Sequence, residues 1–346
     1  MRDASGRLKE SWYAVGTAAE IRDAPVSRRV LGERLVIWRD ASGQARAFTD
    51  RCLHRNAPLS EGVVLAADGG CLGCPYHGWV YDRTGKLVAI PALESGAVVP
   101  DVQLPTWPVT ERYGLVWVWM GEDAPADAEP FAMPYWNTPG WRAYYMVTAF
   151  DNGVTQLVEN FMDVPHTVFV HRGWFRTEAR KEVRMTVERT DHSVLVTYHQ
   201  ESDTIGFTGR ILNPKNAPMV HTDKFYMPNT TRVDYSFGER GFVITSTCTP
   251  ETPDRTRVYT LISYNLGSRV ASKLLKPFLR FYTRRVIQQD VEIMAIQGAN
   301  LRAHGEEAFH HSEADLHHIW IEQLRQCSVD DRDPPPGETR DATFWI

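Results

Sequence analysis

Cys52, His54, Cys74 and His77 make two short motifs, Cys-x-His and Cys-x2-His, with residues 55–73 between them. Two thiolates and two neutral imidazoles suit a [2Fe–2S] cluster in which one iron takes both sulfurs and the other both nitrogens. Exchanging two thiolates for imidazoles raises the reduction potential well above that of all-cysteine clusters. Each motif offers one Cys and one His from a tight loop, so two such loops can clamp a cluster from opposite sides. A second reading stays open. Cys71-x2-Cys74 has a zinc spacing, and Cys52, His54, Cys71 and Cys74 could hold a tetrahedral ion. Cys71 by itself reads as a small buried apolar residue.

A second constellation lies in Glu159-Asn160-Phe161-Met162-Asp163-Val164-Pro165-His166-Thr167-Val168-Phe169-Val170-His171. His166 and His171 are five apart, roughly 140° around an ideal helix, so an undistorted helix would not aim both at one point. Pro165 removes a backbone donor and clashes with the preceding turn, which lets the two rings converge on one metal. A two-His, one-carboxylate iron site needs an acid from elsewhere. Asp290 is the best candidate: Ile287, Asp290, Val291 and Met294 share one helical face, and an ionised Asp in an apolar stripe is costly unless something pairs with it. Glu292 falls on the opposite face and reads as solvated. Asp163, three residues before His166, reads as its neighbour on the helix; the plain alternative is a surface Asp.

Histidines 304, 310, 311, 317 and 318 crowd the C-terminal region. Neighbours in sequence point in different directions on a helix, so His304, His310, His311, His317 and His318 are expected at a surface or interface. His192 falls in a turn. Trp141, Trp174 and Phe175 are expected in core or pocket wall.

The elements that must position these residues change in kind along the chain. The first third carries short strands, Leu35–Arg39, Ala45–Phe48, Gly78–Tyr81, Lys86–Ile90 and Leu115–Met120, punctuated by Gly and Asp turns, as in a small antiparallel sandwich or barrel. Gly121 to Gly140 is rich in Pro and acid and reads as a linker. Beyond it come a helix over Gln156–Met162 and a hairpin, Glu182–Val187 with Val194–His199. Strands Phe242–Cys248 and Arg257–Tyr264 follow, then helical periodicity through Arg285–Ile296 and Ala314–Leu324. This order indicates α+β. Asp330 to Gly337 reads as a polar, proline-rich extension.

A chain of 346 residues suggests two domains. Its formal net charge of −5, without a block of like charge, gives no footprint for nucleic acid or anionic membrane. The apolar runs are too short to span a bilayer, and the N-terminus lacks an apolar signal core. The five cysteines, an odd number, argue against a disulfide framework. A cytoplasmic protein is expected.

Cys52-x-His54-Arg55 and Cys74-Pro75-Tyr76-His77-Gly78-Trp79 resemble the cluster loops of Rieske ring-hydroxylating oxygenases, with a slightly longer spacer. Asn160-x2-Asp163-x2-His166-x4-His171 resembles the mononuclear-iron motif of the same family, and the likeness runs from about Trp12 to about Leu324. It implies an all-β Rieske [2Fe–2S] domain over residues 1–125. A catalytic domain of antiparallel sheet plus helices, of helix-grip type, would follow over 126–346. Cys52, His54, Cys74 and His77 would hold the cluster, and His166, His171 and Asp290 a non-haem Fe(II). Asp163 would bridge the two sites across a subunit boundary, from His77 of one copy to His166 of the next. Asn160 would lie near the iron or touch substrate. The family further implies a homotrimer, a separate reductase (with or without a ferredoxin) supplying NAD(P)H electrons, O2 and a small organic, cyclic substrate. Likeness to the shorter monooxygenase and O-demethylase members favours hydroxylation or oxidative demethylation over dihydroxylation by a dioxygenase. The rivals are a Rieske ferredoxin-like electron carrier, which has no use for the second motif, and a zinc-stabilised binding protein.

Overall fold

The computed structural model describes residues 8, 10–66, 69–94, 96–122, 127–172, 181–199, 213–214, 217–305 and 309–346. Trp174 and Phe175 lie outside them. The chain forms two compact units, Lys9–Ala132 with Thr249–Thr252, and Met1–Leu8, Met133–Cys248 with Pro253–Ile346.

The first unit is all β. Its strands are β1 (Trp12–Thr17), β2 (Val26–Val30), β3 (Glu33–Arg39), β4 (Ala45–Thr49), β5 (Val63–Leu65), β6 (Cys71–Gly73), β7 (Val80–Tyr81), β8 (Leu87–Ala89), β9 (Thr106–Trp107), β10 (Val109–Arg112) and β11 (Leu115–Trp119). They form three sheets in the orders β1-β11-β10, β2-β3-β4-β9 and β5-β6-β7-β8. The apolar run in β3 has a physical reason. Successive side chains point to opposite faces: Leu35 and Ile37 join a core with Tyr13, Val15, Val116 and Val118, while Val36 and Trp38 join another with Phe48, Leu72 and Tyr81. Cys52 and Cys74 belong to that second core.

The second unit is α+β. Its strands are β12 (Arg142–Phe150), β13 (Glu182–Arg189), β14 (Ser193–His199), β15 (Val220–Tyr226), β16 (Thr230–Phe237), β17 (Arg240–Thr252), β18 (Arg255–Asn265) and β19 (Glu338–Trp345). They make one sheet in the order β12-β18-β17-β16-β15-β14-β13-β19. Its described helices are α1 (Val154–Met162), α2 (His166–Val170), α3 (Arg269–Leu274), α4 (Lys276–His304) and α5 (Leu316–Val329). Leu157, Val158 and Met162 of α1 and Trp320, Ile321 and Leu324 of α5 share one core with Val187, Val194 and Val196. In α4 the buried positions Leu279, Tyr282, Thr283, Asp290, Met294 and Gly298 follow helical periodicity. A Cβ at Gly298 would lie 2.3 Å from the Asp151 carbonyl oxygen, so glycine permits this close approach of α4.

Three expectations change. The segment around Pro165 is two helices, not one distorted helix. Pro165 lacks the N–H that would continue the helix onto the Phe161 carbonyl; α1 ends at Met162, and Asp163 is extended at φ −85°, ψ 119°. The proline-rich tail leads into β19, an edge strand paired with β13 from Glu182↔Trp345 to Arg189↔Glu338. His317 is not at the surface: it is 1% exposed, and burial holds its imidazole well below the usual range. His192, His304, His310 and His311 are exposed, and Trp141 is half-buried. Among the described residues, no helix is long and apolar enough to cross a membrane.

Candidate metal centres

The two cysteine–histidine loops are built alike. Cys52 N–H donates to the Ala57 carbonyl at 2.9 Å, and Asn56 N–H donates back to the Cys52 carbonyl at 3.0 Å. Cys74 N–H donates to the Trp79 carbonyl at 2.8 Å, and Gly78 N–H to the Cys74 carbonyl at 3.2 Å. Both loops turn through a left-handed residue four positions after the Cys, Asn56 at φ 58° and Gly78 at φ 71°, where Asn and Gly carry the smallest strain. This shared turn buries both Cys and brings both His outward: Cys52 and Cys74 are buried, His54 is half-buried and His77 exposed. The imidazoles meet with ring centroids 4.5 Å apart, and Trp79 stacks on His54 at 4.7 Å.

The electrostatics favour neutral imidazole at His54, while burial opposes a bare thiolate at Cys74. Burial pushes the Cys74 thiol up, while the backbone N–H groups of Tyr76 and His77 act in the opposite sense as donors to its sulfur. Partial desolvation and the charges of His77 and Arg55 lower the His54 pKa. Tyr81, missed in the sequence, places its hydroxyl 3.2 Å from Cys52 Sγ and accepts from Leu53 N–H at 3.1 Å. A donor to a cluster sulfur stabilises the reduced, more negative state. Tyr81→Phe is therefore expected to lower the cluster potential by roughly 20–65 mV, from about 0.5–1.5 kcal/mol per hydrogen bond and 59 mV per decade. An EPR-monitored redox titration checks it; an unchanged potential contradicts the assignment.

Zinc at this site fits less well. Tetrahedral ligands about 2.3 Å from one ion must lie close together. Among the described residues, the one His, Cys, Asp or Glu set with ligand atoms all within 4.8 Å is His166, His171 and Asp290. The Cys–His set is too dispersed for one ion, as ligands shared between two irons would be. Cys71 is buried in β6. Cys248 is enclosed too, with its thiol pushed up to about 12 by burial.

The second centre is local in its geometry. Pro165 opens α2, where its missing N–H is tolerated. Asp163 Oδ2 accepts from His166 N–H at 3.3 Å, capping the new helix, and lies 3.5 Å from His166 Nδ1. His166 stands at the start of the single turn of α2 and His171 at its end, with ring centroids 5.2 Å apart. Asp290 Oδ1, from α4, lies 3.5 Å from His166 Nε2 and 3.2 Å from His171 Nε2. Yet this buried oxygen accepts no hydrogen bond, which costs free energy unless a cation completes the site. Burial lowers the His166 pKa, but Asp163 and Asp290 more than reverse this and raise it to about 9. Burial raises that of Asp290, and the two imidazoles more than reverse this, lowering it overall. Two imidazoles and one carboxylate fit a non-haem iron and leave coordination positions open.

Gln289 is a further residue the sequence did not reveal. Its Oε1 lies 3.1 Å from His171 Nδ1. An amide oxygen accepts only from the Nδ1–H tautomer, which leaves the Nε2 lone pair facing Asp290. Gln289→Leu is expected to weaken iron binding about 10- to 100-fold. Competition with a chelator reads this, and unaltered affinity would refute the orienting role.

The triad opens on a cavity of about 130 Å³ lined also by Asn160, Phe161, Asp163, Val233, Phe242, Ile244, Ile262 and Ile287. This is close to the roughly 150 Å³ that admits a benzene ring.

Comparison with known proteins agrees with this architecture. The Rieske [2Fe-2S] domain family matches residues 11–108, and the vanillate O-demethylase oxygenase C-terminal domain family matches residues 151–319. The chain thus joins a Rieske [2Fe-2S] domain to a vanillate O-demethylase oxygenase C-terminal domain. It is 34% identical over 183 residues to the putative toluene-4-sulfonate monooxygenase system iron–sulfur subunit of Comamonas testosteroni, covering 53% of this chain and 51% of that protein. It is 35% identical over 175 residues to the dicamba O-demethylase oxygenase component of Stenotrophomonas maltophilia, covering 50% of each. The chain thus spans about half the length of the curated relatives it matches. In fold it resembles dicamba monooxygenase bound to dicamba, with a TM-score of 0.76, 23% identity and coverage of 94% of this chain and 100% of the other. It also resembles Pseudomonas putida NdmA with caffeine, with a TM-score of 0.75, 21% identity and coverage of 95% and 94%.

Proposed function

We propose that this chain is the terminal oxygenase component of a multicomponent system. It would take electrons from a separate reductase, with or without a ferredoxin, and use O2 to hydroxylate or oxidatively demethylate a small cyclic organic substrate. One observation carries the reading: His166, His171 and Asp290 converge on the wall of a cavity of about 130 Å³. An electron carrier has no use for such a site. The activities for which two relatives are named, a toluene-4-sulfonate monooxygenase and a dicamba O-demethylase, support monooxygenation over dihydroxylation.

The roles follow from position. Residues 1–125 form the cluster domain, with Cys52, His54, Cys74 and His77 as ligands. Residues 126–346 form the catalytic domain, with His166, His171 and Asp290 as iron ligands. When bound, the cluster supplies single electrons and the iron activates dioxygen. Asp290 balances the positive charge of that centre. Gln289 fixes the tautomer of His171, and Asp163 faces His166 Nδ1 at 3.5 Å. The apolar wall, Val233, Phe242, Ile244 and Ile262 among it, holds a ring and excludes water. Asp163 also accepts from His77 of a second copy in a homotrimer, and Asn160 touches substrate. Five free cysteines fit a cytoplasmic location.

The test supplies the iron-loaded protein with a surrogate reductase, NADH and single-ring methyl ethers and methyl arenes. One hydroxylated product or one formaldehyde per O2 consumed is expected. A cis-diol would overturn monooxygenation, and the absence of any O2-dependent product across the set would overturn the oxygenase reading.

A further inference from the structure

Away from the triad, the same cavity is lined by a second polar group. Asp223 of β15 is 2% exposed and forms part of the cavity wall. Its Oδ1 lies 2.9 Å from His221 Nε2, and its Oδ2 accepts from the Tyr198 hydroxyl at 3.0 Å. The sheet explains the cluster. His221 and Asp223 are two apart, so they share a face of β15. His221 pairs across the ladders with Tyr198 and Tyr235, and its ring lies between theirs at centroid distances of 4.5 and 4.3 Å. The carboxyl is thus held rigidly, by partners that are themselves packed.

A buried carboxyl in an apolar wall is costly. His221 and Tyr198 offset part of this cost, but a carboxylate has about four acceptor positions, and these two partners use two. Asn160 Oδ1, also lining the cavity, is buried and accepts no hydrogen bond. Among the wall hydroxyls, Ser246 meets Thr260 at 3.0 Å, and Thr283 donates to the Leu279 carbonyl at 2.8 Å. The described lining residues include no Lys or Arg. The cavity therefore presents a carboxylate and an amide oxygen as acceptors, with no ammonium or guanidinium group among the described lining residues.

We propose that Asp223, held by His221 and Tyr198, anchors a hydrogen-bond-donating group, a hydroxyl or an amine, of a neutral or cationic ring substrate. The same carboxyl repels carboxylates and sulfonates. This rests on the oxygenase reading and goes beyond it, since one of the relatives is named for a sulfonate.

The test is calorimetric titration of the iron-loaded protein with 4-methoxyphenol, 4-methoxyaniline, 4-methoxytoluene and 4-methoxybenzoate, which differ in one substituent. The phenol and the amine are expected to bind about tenfold or more tightly than the toluene, as a hydrogen bond to a charged group implies; the benzoate should not bind. Asp223→Asn, with its fold verified by circular dichroism, should erase most of that preference. Benzoate binding as tight as that of the phenol overturns the proposal, as does failure of both donor probes to bind or a folded variant with the full preference. The wild-type ranking stands even if the variant does not fold. Binding needs no turnover: the expected ranking without product refutes the oxygenase reading alone, and turnover of the benzoate refutes the anchor alone.

Discussion

Asp290→Ala is expected to purify with its cluster intact and essentially no mononuclear iron. Asp290 is the sole carboxylate of the converging triad, and it comes from α4, whereas His166 opens α2 and His171 follows its end. Removing it leaves two neutral imidazoles about a site that must bind a dication. Outer partners of metal ligands are already worth about 10- to 100-fold in affinity, so losing a charged ligand should exceed that. The fold should persist, because the substitution also removes a buried oxygen that accepts no hydrogen bond. Iron analysis after desalting checks this. Full iron retention would mean that the acid lies elsewhere.

Asp163→Ala is expected to keep both metals and lose about a hundredfold or more of turnover. Within the chain, Asp163 caps α2 and faces His166 at 3.5 Å. Loss of the cap alone costs about 1 kcal/mol, a shift of a few degrees in Tm for a unit of this size. A purely structural Asp would show the thermal shift with turnover largely preserved. A bridging Asp would show a small thermal shift, near-normal iron and a collapse in the rate at which a prereduced cluster is reoxidised by O2 with substrate. Loss of iron comparable to that in His166→Ala would contradict the bridging role.

Legibility in the sequence follows the locality of the physics. The cluster motif was readable because each Cys and His share one tight turn, and a turn is encoded by its own residues. The convergence of His166 and His171 was readable for the same reason, but its mechanism was not. Pro165 ends one helix and starts another, so Asp163 is a cap on α2, not a neighbour on a continuous helix. Asp290 was visible because an acid in an apolar helical stripe is anomalous. Gln289, one position away, carried no such signal. Tyr81 looked like an ordinary strand residue.

The sheet was the harder part. β19 follows Pro334-Pro335-Pro336 and pairs at an edge where only Phe344 is buried, so little of its pattern is apolar. His221 and Asp223 occupy inward positions of β15, yet His221-Thr222-Asp223-Lys224 reads as polar throughout. Their partners, Tyr198 and Tyr235, come from other strands, and only the register brings them together. His317 misled for the opposite reason: helical geometry separates it from His318 but does not say which of them faces inward.

The most direct test of the central claim is elemental. Anaerobically purified protein would be assayed for iron, zinc and acid-labile sulfide, with EPR of the dithionite-reduced form. About three irons and two sulfides per chain, with a Rieske-type reduced signal, are expected. A colourless protein with stoichiometric zinc, or two irons and two sulfides that iron reconstitution does not raise, would contradict it.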